Sequence, residues 1–299
     1  MKVIDGSKVI HSFKSDMEPV EKVNPKEIFK VCTNDCFHGQ LIREDQTFGE
    51  LDYSLFNPAT GPIYIEGAEA GDLLKVKILD IQVPSKGVSV TVPKEGVLGN
   101  KVTKALTKII EIKDGSCNYN GIQIPIRPMI GVIGVAPKEG EYDTATPWKH
   151  GGNMDTADIG IGSTLYFPVN QKGALLALGD CHALMADGEI ACSGLEIAAE
   201  VILQVDVIKG KEIAWPLVET DDYTMVIASG DTLDEAVYAA SDEAVKYLAK
   251  GLNMSWEEAY ILASLAVDIR ISQLVDPKLT VRAVIPKRIL ETQKIIRSL

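Results

Sequence analysis

The sequence has little positive charge and no long apolar segment. Its 299 residues hold 30 lysines and arginines against 42 aspartates and glutamates, a formal net charge of −12. Because lysine and arginine drive phosphate binding, this balance argues against a nucleic-acid partner or an anionic membrane surface. No stretch approaches the roughly 18 uninterrupted apolar residues of a membrane span, and the first residues lack a signal-peptide layout. We expect a cytoplasmic protein that binds a small neutral or cationic ligand.

Paired cysteines and several common catalytic motifs are also missing. The five cysteines are an odd number without a CxxC pair, in a chain too long to need disulfides, which is typical of a reducing compartment. The sequence contains no phosphate loop ending in GK[ST], no GxGxxG, no HExxH and no GxSxG. Nucleotide chemistry and serine-hydrolase chemistry are therefore unsupported.

Hydrophobic residues make up 46% of the chain, enough for a sizeable core. Up to about Gly230 they form short runs such as LLKVKILDIQV, separated by glycine, proline, asparagine and aspartate. This spacing is typical of β-sandwiches and barrels. We therefore predict an α+β fold that is predominantly β, with a sandwich- or barrel-like body, as a single domain over residues 1–299 whose β-rich part is 1–230.

The hydrophobic period changes to that of a helix after residue 230. Thr232 with Glu235, and Ser255 with Glu258, have the spacing of capping boxes, and Gly251 suits a helix stop. The pattern predicts a helical hairpin over residues 232–272, inserted before the last strands. Its apolar stripe is too continuous to face water, so we expect it to pack on the β body or on a second subunit.

The segment from His150 to Glu196 holds two of only four histidines beside carboxylates braced by glycines. The apolar run 174–178 predicts a buried strand that ends at Gly179. Asp180 and His182 follow at a spacing of two, which places both side chains on one face of an extended backbone. Each carboxylate alone is typical of a turn or a solvated surface, but together with a histidine they indicate a site.

Two glutamates extend this candidate site. Asp187-Gly188 is a turn dipeptide that closes hairpins, so Glu189 is predicted to start a return strand and to lie near His182 across the ladder. Glu196 opens another alternating stretch and can reach the same end of the sheet.

An N-terminal segment, TNDCFHGQ at residues 33–40, adds further candidates. Asp35 and His38 can face one pocket from a loop, and Asp35 can supply a metal ligand. Cys36 is a candidate thiol nucleophile, because a cysteine near a base can form an acyl-enzyme. Cys181 is a weaker candidate, because strand alternation points it away from Asp180 and His182.

At GGNMD, residues 151–155, and GDCHALMADGEIACSGLE, residues 179–196, the sequence resembles the acetamidase/formamidase family. TNDCFHGQ, EGAEAGD, GSTLYFPV and VDIRISQLVDP extend the likeness over most of the chain. The resemblance implies a β-rich α+β fold, an oligomeric assembly and hydrolysis of short aliphatic amides with release of ammonia. The family's acidic and histidine positions correspond to Asp35, Asp155, Asp180, His182, Asp187, Glu189 and Glu196.

We therefore expect an amidohydrolase that cleaves formamide or acetamide at a site holding a divalent metal, zinc and/or calcium. A metal would polarise the carbonyl and strengthen the attacking water. Glu189 or Glu196 would act as general base and then acid, because a partly apolar pocket raises a carboxyl pKa toward neutrality. The expected metal ligands are Asp35, His150, Asp155, Asp180 and His182.

Two alternatives stay open at this point. The first is an amidase that uses Cys36 as nucleophile, and the second is a non-catalytic, metal-stabilised β protein that binds a ligand without turnover. In either case we expect a homodimer or a higher homo-oligomer, with no nucleic-acid or membrane partner.

Overall fold

The structure is a computed structural model that describes residues 1–46 and 48–299. Its strands are β1 (Lys2–Ile4), β2 (Val9–Ile10), β3 (Ser12–Lys14), β4 (Glu21–Val23), β5 (Ile28–Thr33), β6 (Ala59–Ile65), β7 (Leu73–Gln82), β8 (Lys86–Thr91), β9 (Leu106–Lys113), β10 (Ser116–Tyr119) and β11 (Ile122–Pro125). They continue as β12 (Met129–Gly134), β13 (Glu141–Asp143), β14 (Gly151–Asn153), β15 (Thr164–Pro168), β16 (Leu176–Leu184), β17 (Leu195–Ile197), β18 (Ala199–Ile208), β19 (Leu217–Glu219), β20 (Tyr223–Gly230), β21 (Asp268–Gln273) and β22 (Leu279–Pro286). The helices are α1 (Leu233–Leu252), α2 (Trp256–Ala266) and α3 (Thr292–Ser298).

These strands form two large sheets and one small pair. The first sheet has the order β1-β5-β18-β7-β15-β19-β20-β22-β21, and the second runs β11-β10-β9-β8-β17-β16-β12-β14. Strand β6 pairs with β16 and thereby adds β2 and β4 to the second sheet, and β13 pairs with β3. Over the described residues neither sheet closes on itself, so the predicted α+β, predominantly β fold is confirmed in its sandwich-like form rather than as a barrel.

The main core lies between the two large sheets. Phe29, Val76 and Val201 of the first sheet belong to the same buried cluster as Ile130 and Leu178 of the second. A second cluster lies on the other face of the first sheet, under the helices. Along β20, Met225 and Ile227 belong to the first cluster while Val226 and Ala228 belong to the second, as the period of two in a strand requires.

Both predicted capping boxes are present. The Thr232 side chain accepts from the Glu235 backbone and Glu235 reaches back to Thr232, and Ser255 with Glu258 does the same. The helix end predicted at Gly251 is wrong by one residue. Helix α1 runs to Leu252 and ends where Asn253 adopts the left-handed conformation at φ 55°. The helical part ends at Ala266, because the following residue is extended, so residues 268–272 lie in β21.

The two helices pack differently from each other. Helix α1 covers β20 and β22 with three buried alanines together with Val245 and Leu248. Helix α2 buries Ala259 but leaves Tyr260 at 54%, Ile261 at 63% and Leu265 at 79% exposed. The expected second-subunit partner for this stripe remains a prediction. None of the helices in the described residues combines the length and hydropathy needed to cross a membrane, and all five cysteines are free thiols.

Candidate active site

Strand β16 carries the centre of the site. It does not end at Gly179, as the apolar run predicted, but continues to Leu184, because both its neighbours go on pairing with it. Asp180 and His182 share one face, with Asp180 Oδ1 3.5 Å from His182 Nε2. Cys181 lies between them and is buried in the core between the sheets, where Thr33 Oγ1 donates to its sulfur. The predicted sidedness of these three residues therefore holds, although Asp180 has a left-handed backbone, φ 50°, where the prediction assumed an extended one.

Glu196 is the residue that faces His182 across the ladder. The two are paired in register between β16 and β17, and Glu196 Oε2 lies 3.1 Å from His182 Nε2. The other carboxylate oxygen, Oε1, accepts from the Gly194 N–H at 2.7 Å and from Ser193 Oγ at 3.3 Å. The loop backbone therefore fixes one oxygen of Glu196 and leaves the second directed at the imidazole.

Glu189 reaches the same histidine from a loop. The sequence placed it at the start of a return strand, but that strand begins only at Leu195 because residues 185–194 form a longer connection. Glu189 has a left-handed backbone, φ 44°, and its carboxylate lies within 4.8 Å of ligand atoms of Asp155 and His182. Its predicted nearness to His182 holds, although the predicted cross-strand pairing does not.

A buried arginine of β22 holds this loop in place. Arg282 is 2% exposed and donates to both oxygens of Asp187, at 2.6 and 2.7 Å. Its Nε lies 2.9 Å from Asp158 Oδ2, and it also donates to the Ile271 carbonyl at 2.7 Å. Asp187 thus lies outside the histidine cluster. The Arg282 guanidinium therefore contacts three segments, and each of them carries an acid of the cluster a few residues away. These acids are Asp155, Glu189 and Asp276.

Asp155 follows the short strand β14 and completes the histidine's surroundings. Its Oδ1 lies 3.8 Å from His182 Nε2, and its backbone is left-handed at φ 36°. Gly131 of β12 lies beneath it: a Cβ added there would be 2.4 Å from Asp155 Oδ1 and 3.0 Å from Asp180 Oδ2. The two aspartates can converge only because this strand position has no side chain.

Sequence reasoning missed one member of the cluster, Asp276. It is half-buried in the connection between β21 and β22, with its Oδ2 shielded from solvent, and it lies next to Asp155; Asn153 Nδ2 donates to its Oδ1 at 3.1 Å. An aspartate before proline at the end of a strand is typical of a turn, so the local pattern carries no sign of a site. The only available signal was that VDIRISQLVDP belongs to the family resemblance.

Burial has the largest effect on the pKa values of these acids, because it penalises a charged side chain. It raises the pKa of Asp155, Glu189 and Asp276 well above their ordinary values, and neighbouring carboxylates raise each of them further. Burial also raises the pKa of Glu196, although His182 opposes this. Burial lowers the pKa of His182, but the adjacent carboxylates, Glu196 foremost, outweigh it and hold the pKa well above its ordinary value. The cluster therefore requires bound protons or a cation.

The donor atoms suit a divalent cation. Two groups each bring three ligand atoms within 4.8 Å of one another, namely Asp155, His182 and Glu189, and Cys36, Asp180 and Glu196. Buried oxygens of these groups have no hydrogen-bond partner: Asp155 Oδ1, Asp180 Oδ1 and Glu196 Oε2. Zinc binds carboxylate oxygen and imidazole nitrogen at about 2.0–2.2 Å, so donors this close together can share one ion. The residues fit a metal.

The N-terminal candidates take different positions. Asp35 Oδ1 accepts from the Phe37 and Gly39 N–H groups at 2.9 and 3.0 Å, so it shapes the loop and belongs to neither donor group. Cys36 lies against Asp180 and Glu196. Burial raises the pKa of its thiol well above the ordinary value, and Glu196 raises it further. His38 is half-buried in the same turn with φ 56°.

His150, the second histidine of the segment, lies apart from both donor groups. Its ring packs with Phe13 and Tyr142, with 4.9 Å between ring centroids in each case. Burial lowers its pKa to about 3, so the imidazole is neutral. The tight turn at Gly151 and Gly152 directs it into this aromatic contact, which spacing along the chain does not reveal.

Comparisons with known proteins agree with this arrangement. The model of the Acetamidase/Formamidase family matches residues 3–143 and 138–292. The structure is similar to a predicted acetamidase/formamidase from Thermoanaerobacter tengcongensis, with TM-score 0.95, 44% identity and 98% of both chains covered. It is also similar to an acetamidase from Bacillus halodurans, with TM-score 0.94 and 40% identity over 96% of this chain and 97% of that one. The acetamidase of Mycolicibacterium smegmatis is 26% identical over an alignment of 267 positions that covers 65% of this chain and 64% of that protein, so the match spans just under two thirds of that relative.

Proposed function

Because the chain belongs to the acetamidase/formamidase family, we propose that it hydrolyses linear amides to a carboxylate and ammonia. The oxygen of water forms a bond to the carbonyl carbon, the carbon–nitrogen bond breaks, and the leaving nitrogen takes up a proton. Amides are weak electrophiles, so the site must activate water and supply that proton. The observation that carries the proposal is the buried cluster of acids around His182, in which proton acceptors and donors with raised pKa values converge.

We propose Glu189 as the group that takes the proton from water and then gives it to nitrogen. A general base and acid works best with a pKa near the working pH, and burial raises the pKa of Glu189 toward that range. Glu196 is the second candidate for this role. Its Oε1 is held by the Gly194 N–H, so it is better suited to orient His182 than to move with a reacting group.

We propose a divalent metal held by Asp155, Asp180 and His182, and zinc rather than calcium, because calcium prefers an all-oxygen shell. When bound, such an ion polarises a carbonyl and lowers the pKa of water. The unpartnered oxygens of Asp155 and Asp180 support this assignment. Asp35 and His150 are not included, because neither joins the donor groups.

The two alternatives have less support. A thiol nucleophile requires a thiolate, and burial beside Glu196 raises the pKa of Cys36 instead of lowering it. A non-catalytic metal site would be served by exposed oxygens, whereas this cluster encloses several acids with raised pKa values. The cytoplasmic location, the homo-oligomer and the lack of nucleic-acid or membrane partners remain predictions from the sequence.

The test measures metal content and ammonia release from a panel of linear amides, for the wild type and for His182→Ala. We expect the wild type to carry a divalent metal and to release ammonia, and the variant to lose both while keeping its circular dichroism spectrum. His11→Ala is the matched control, because the one hydrogen bond described for the His11 side chain is to the Phe56 carbonyl, and His11 belongs to neither donor group. Equal metal content in the wild type and His182→Ala would remove His182 from the metal site, and no ammonia from any amide would refute the proposed activity.

A further inference from the structure

A pocket of about 550 Å³ lies beside the candidate active site. Strands β8, β9, β10 and β11 form one side of it, and residues 184–195 form the other. Glu189, Ser193 and Gly194 belong to this lining and also contact the cluster. Ser193 and Gly194 donate to Glu196, and the position of a Cβ on Gly194 would be only 2.7 Å from His182 Nδ1. The pocket and the cluster therefore share one wall.

Most of the remaining lining is hydrocarbon. Val90, Ile110 and Leu184 form the inner part, while Leu106 at 42% and Ile190 at 59% exposure lie toward solvent. Glu189 belongs to the acid cluster, and the other two charged residues of the lining are engaged in ion pairs. Lys108 pairs with Glu44 at 3.2 Å, and Asp187 is bound by Arg282. Away from Glu189 the pocket consequently offers no unpaired charge to a substituent and is suited to an apolar one.

The size of the pocket exceeds that of the smallest amides. Sites for small molecules are mostly apolar clefts of about 300–1,000 Å³ with a few polar groups at one end, and this pocket falls in that range. A water molecule occupies roughly 30 Å³ of liquid, so formamide or acetamide, each a few atoms in size, would leave most of it filled with solvent. Apolar walls in contact with that solvent would contribute nothing to binding.

We propose that this pocket binds the hydrocarbon part of the substrate, so that the preferred substrates are primary amides with an acyl chain of several carbons. The amide group then lies at the Glu189–Gly194 wall, and the chain extends along Ile110 toward Leu106. This inference rests on the proposed amide hydrolysis. The shared wall favours a substrate over a second protein as the occupant, because it places whatever fills the pocket against Glu189 and against two residues that contact Glu196.

The first experiment compares kcat/KM for acetamide, butanamide and hexanamide, followed by ammonia release. One methylene in an apolar pocket changes selectivity by roughly 10-fold or more. Leu106 and Ile190 are partly exposed, so we expect kcat/KM to rise by at least about tenfold in total from acetamide to hexanamide. Cleavage of acetamide without any gain for the longer amides would overturn the pocket assignment while leaving the proposed activity intact. Absence of ammonia from all three would instead count against the proposed activity itself.

The second experiment locates the selectivity in the pocket. Leu106→Ala and Ile190→Ala should each lower the hexanamide-to-acetamide ratio of kcat/KM by about tenfold. Ile261→Ala is the matched control, because Ile261 is 63% exposed on α2 and outside the pocket, and its ratio should not change. Ile190 is the more exposed of the two pocket positions, so its variant keeps the test valid if Leu106→Ala folds poorly. If both pocket variants shift the sedimentation coefficient and leave the ratio unchanged, the wall is a subunit contact and the proposal is wrong.

Discussion

Gly131→Ala tests whether activity and metal binding require Asp155 and Asp180 to lie close together. The new methyl group would lie 2.4 Å from Asp155 Oδ1 and 2.7 Å from the Asp180 carbonyl, where ordinary contact needs 3.4 Å. Asp155 must therefore retreat by about 1 Å. Backbone conformation is not the obstacle, because Gly131 lies within a regular strand and has no positive φ.

A displacement of about 1 Å at a reacting centre can cost roughly 100-fold in rate, so we expect kcat/KM to fall about 100-fold. Bound metal should fall as well, since Asp155 and Asp180 both move. Overpacking of a buried site typically costs about 1–3 kcal/mol, so the variant should fold with a lower free energy of unfolding.

The assay is ammonia release together with elemental analysis and urea denaturation. Gly49→Ala is the matched control, because an added Cβ there meets nothing within 4 Å, and it should retain activity and metal. Wild-type activity and metal content in Gly131→Ala would show that the aspartates need not converge above this strand, and the reasoning for the site would be refuted.

Three further predictions concern other parts of the molecule. Glu189→Gln keeps the size of the side chain but cannot exchange a proton, so kcat should fall about 10²- to 10⁴-fold with unchanged melting temperature and metal content; activity within a few-fold of wild type would transfer the role to Glu196. Arg282→Gln leaves Asp187 and Asp158 without their shared cation. Because Asp187 is partly exposed, we expect urea denaturation to show a free energy of unfolding lower by about 2–3 kcal/mol, below the range for a fully buried pair. Ammonia release should fall as well. Burial raises the pKa of Asp72, but donors from Lys209, Gly210 and Glu69 outweigh it and lower that pKa below its usual 3.8. Such a group stabilises the fold above its unfolded pKa, and this contribution is lost as the pH falls through the folded pKa. Asp72→Asn should therefore lower the free energy of unfolding by about 1–3 kcal/mol at neutral pH and show a weaker further loss in acid than the wild type. Parallel curves of stability against pH for the two proteins would contradict this.

Local features of the chain were predictable because their causes are local. Thr232 with Glu235 forms a capping box from residues three apart, and the helix begins there without reference to the rest of the fold. Asp180 and His182 both point to the site, with Cys181 on the opposite side, as their spacing of two predicted, although Asp180 departs from extended backbone at φ 50°. The predominantly β architecture also follows from strand-length apolar runs. Errors at this level are small, such as the helix that ends at Leu252 rather than at Gly251.

Residues brought together by long-range pairing could not be assigned from spacing. Glu189 and Glu196 both reach His182, but only the register between β16 and β17 decides that Glu196 is its cross-strand partner. His150 has the right chemistry for a ligand, yet the path of the chain packs it between aromatic rings.

The sequence by itself determined the helical caps, the shared side of Asp180 and His182 on β16, and the identity of the acids that lie close to His182 along the chain. Only the tertiary structure decided that Asp276 joins them, that Gly131 must lack a side chain and that Arg282 connects the three supporting segments. The physical reason is that the pKa values and the donor geometry of this cluster depend on burial and on distances between strands far apart in sequence. No local pattern encodes those distances, because packing of the two sheets sets them.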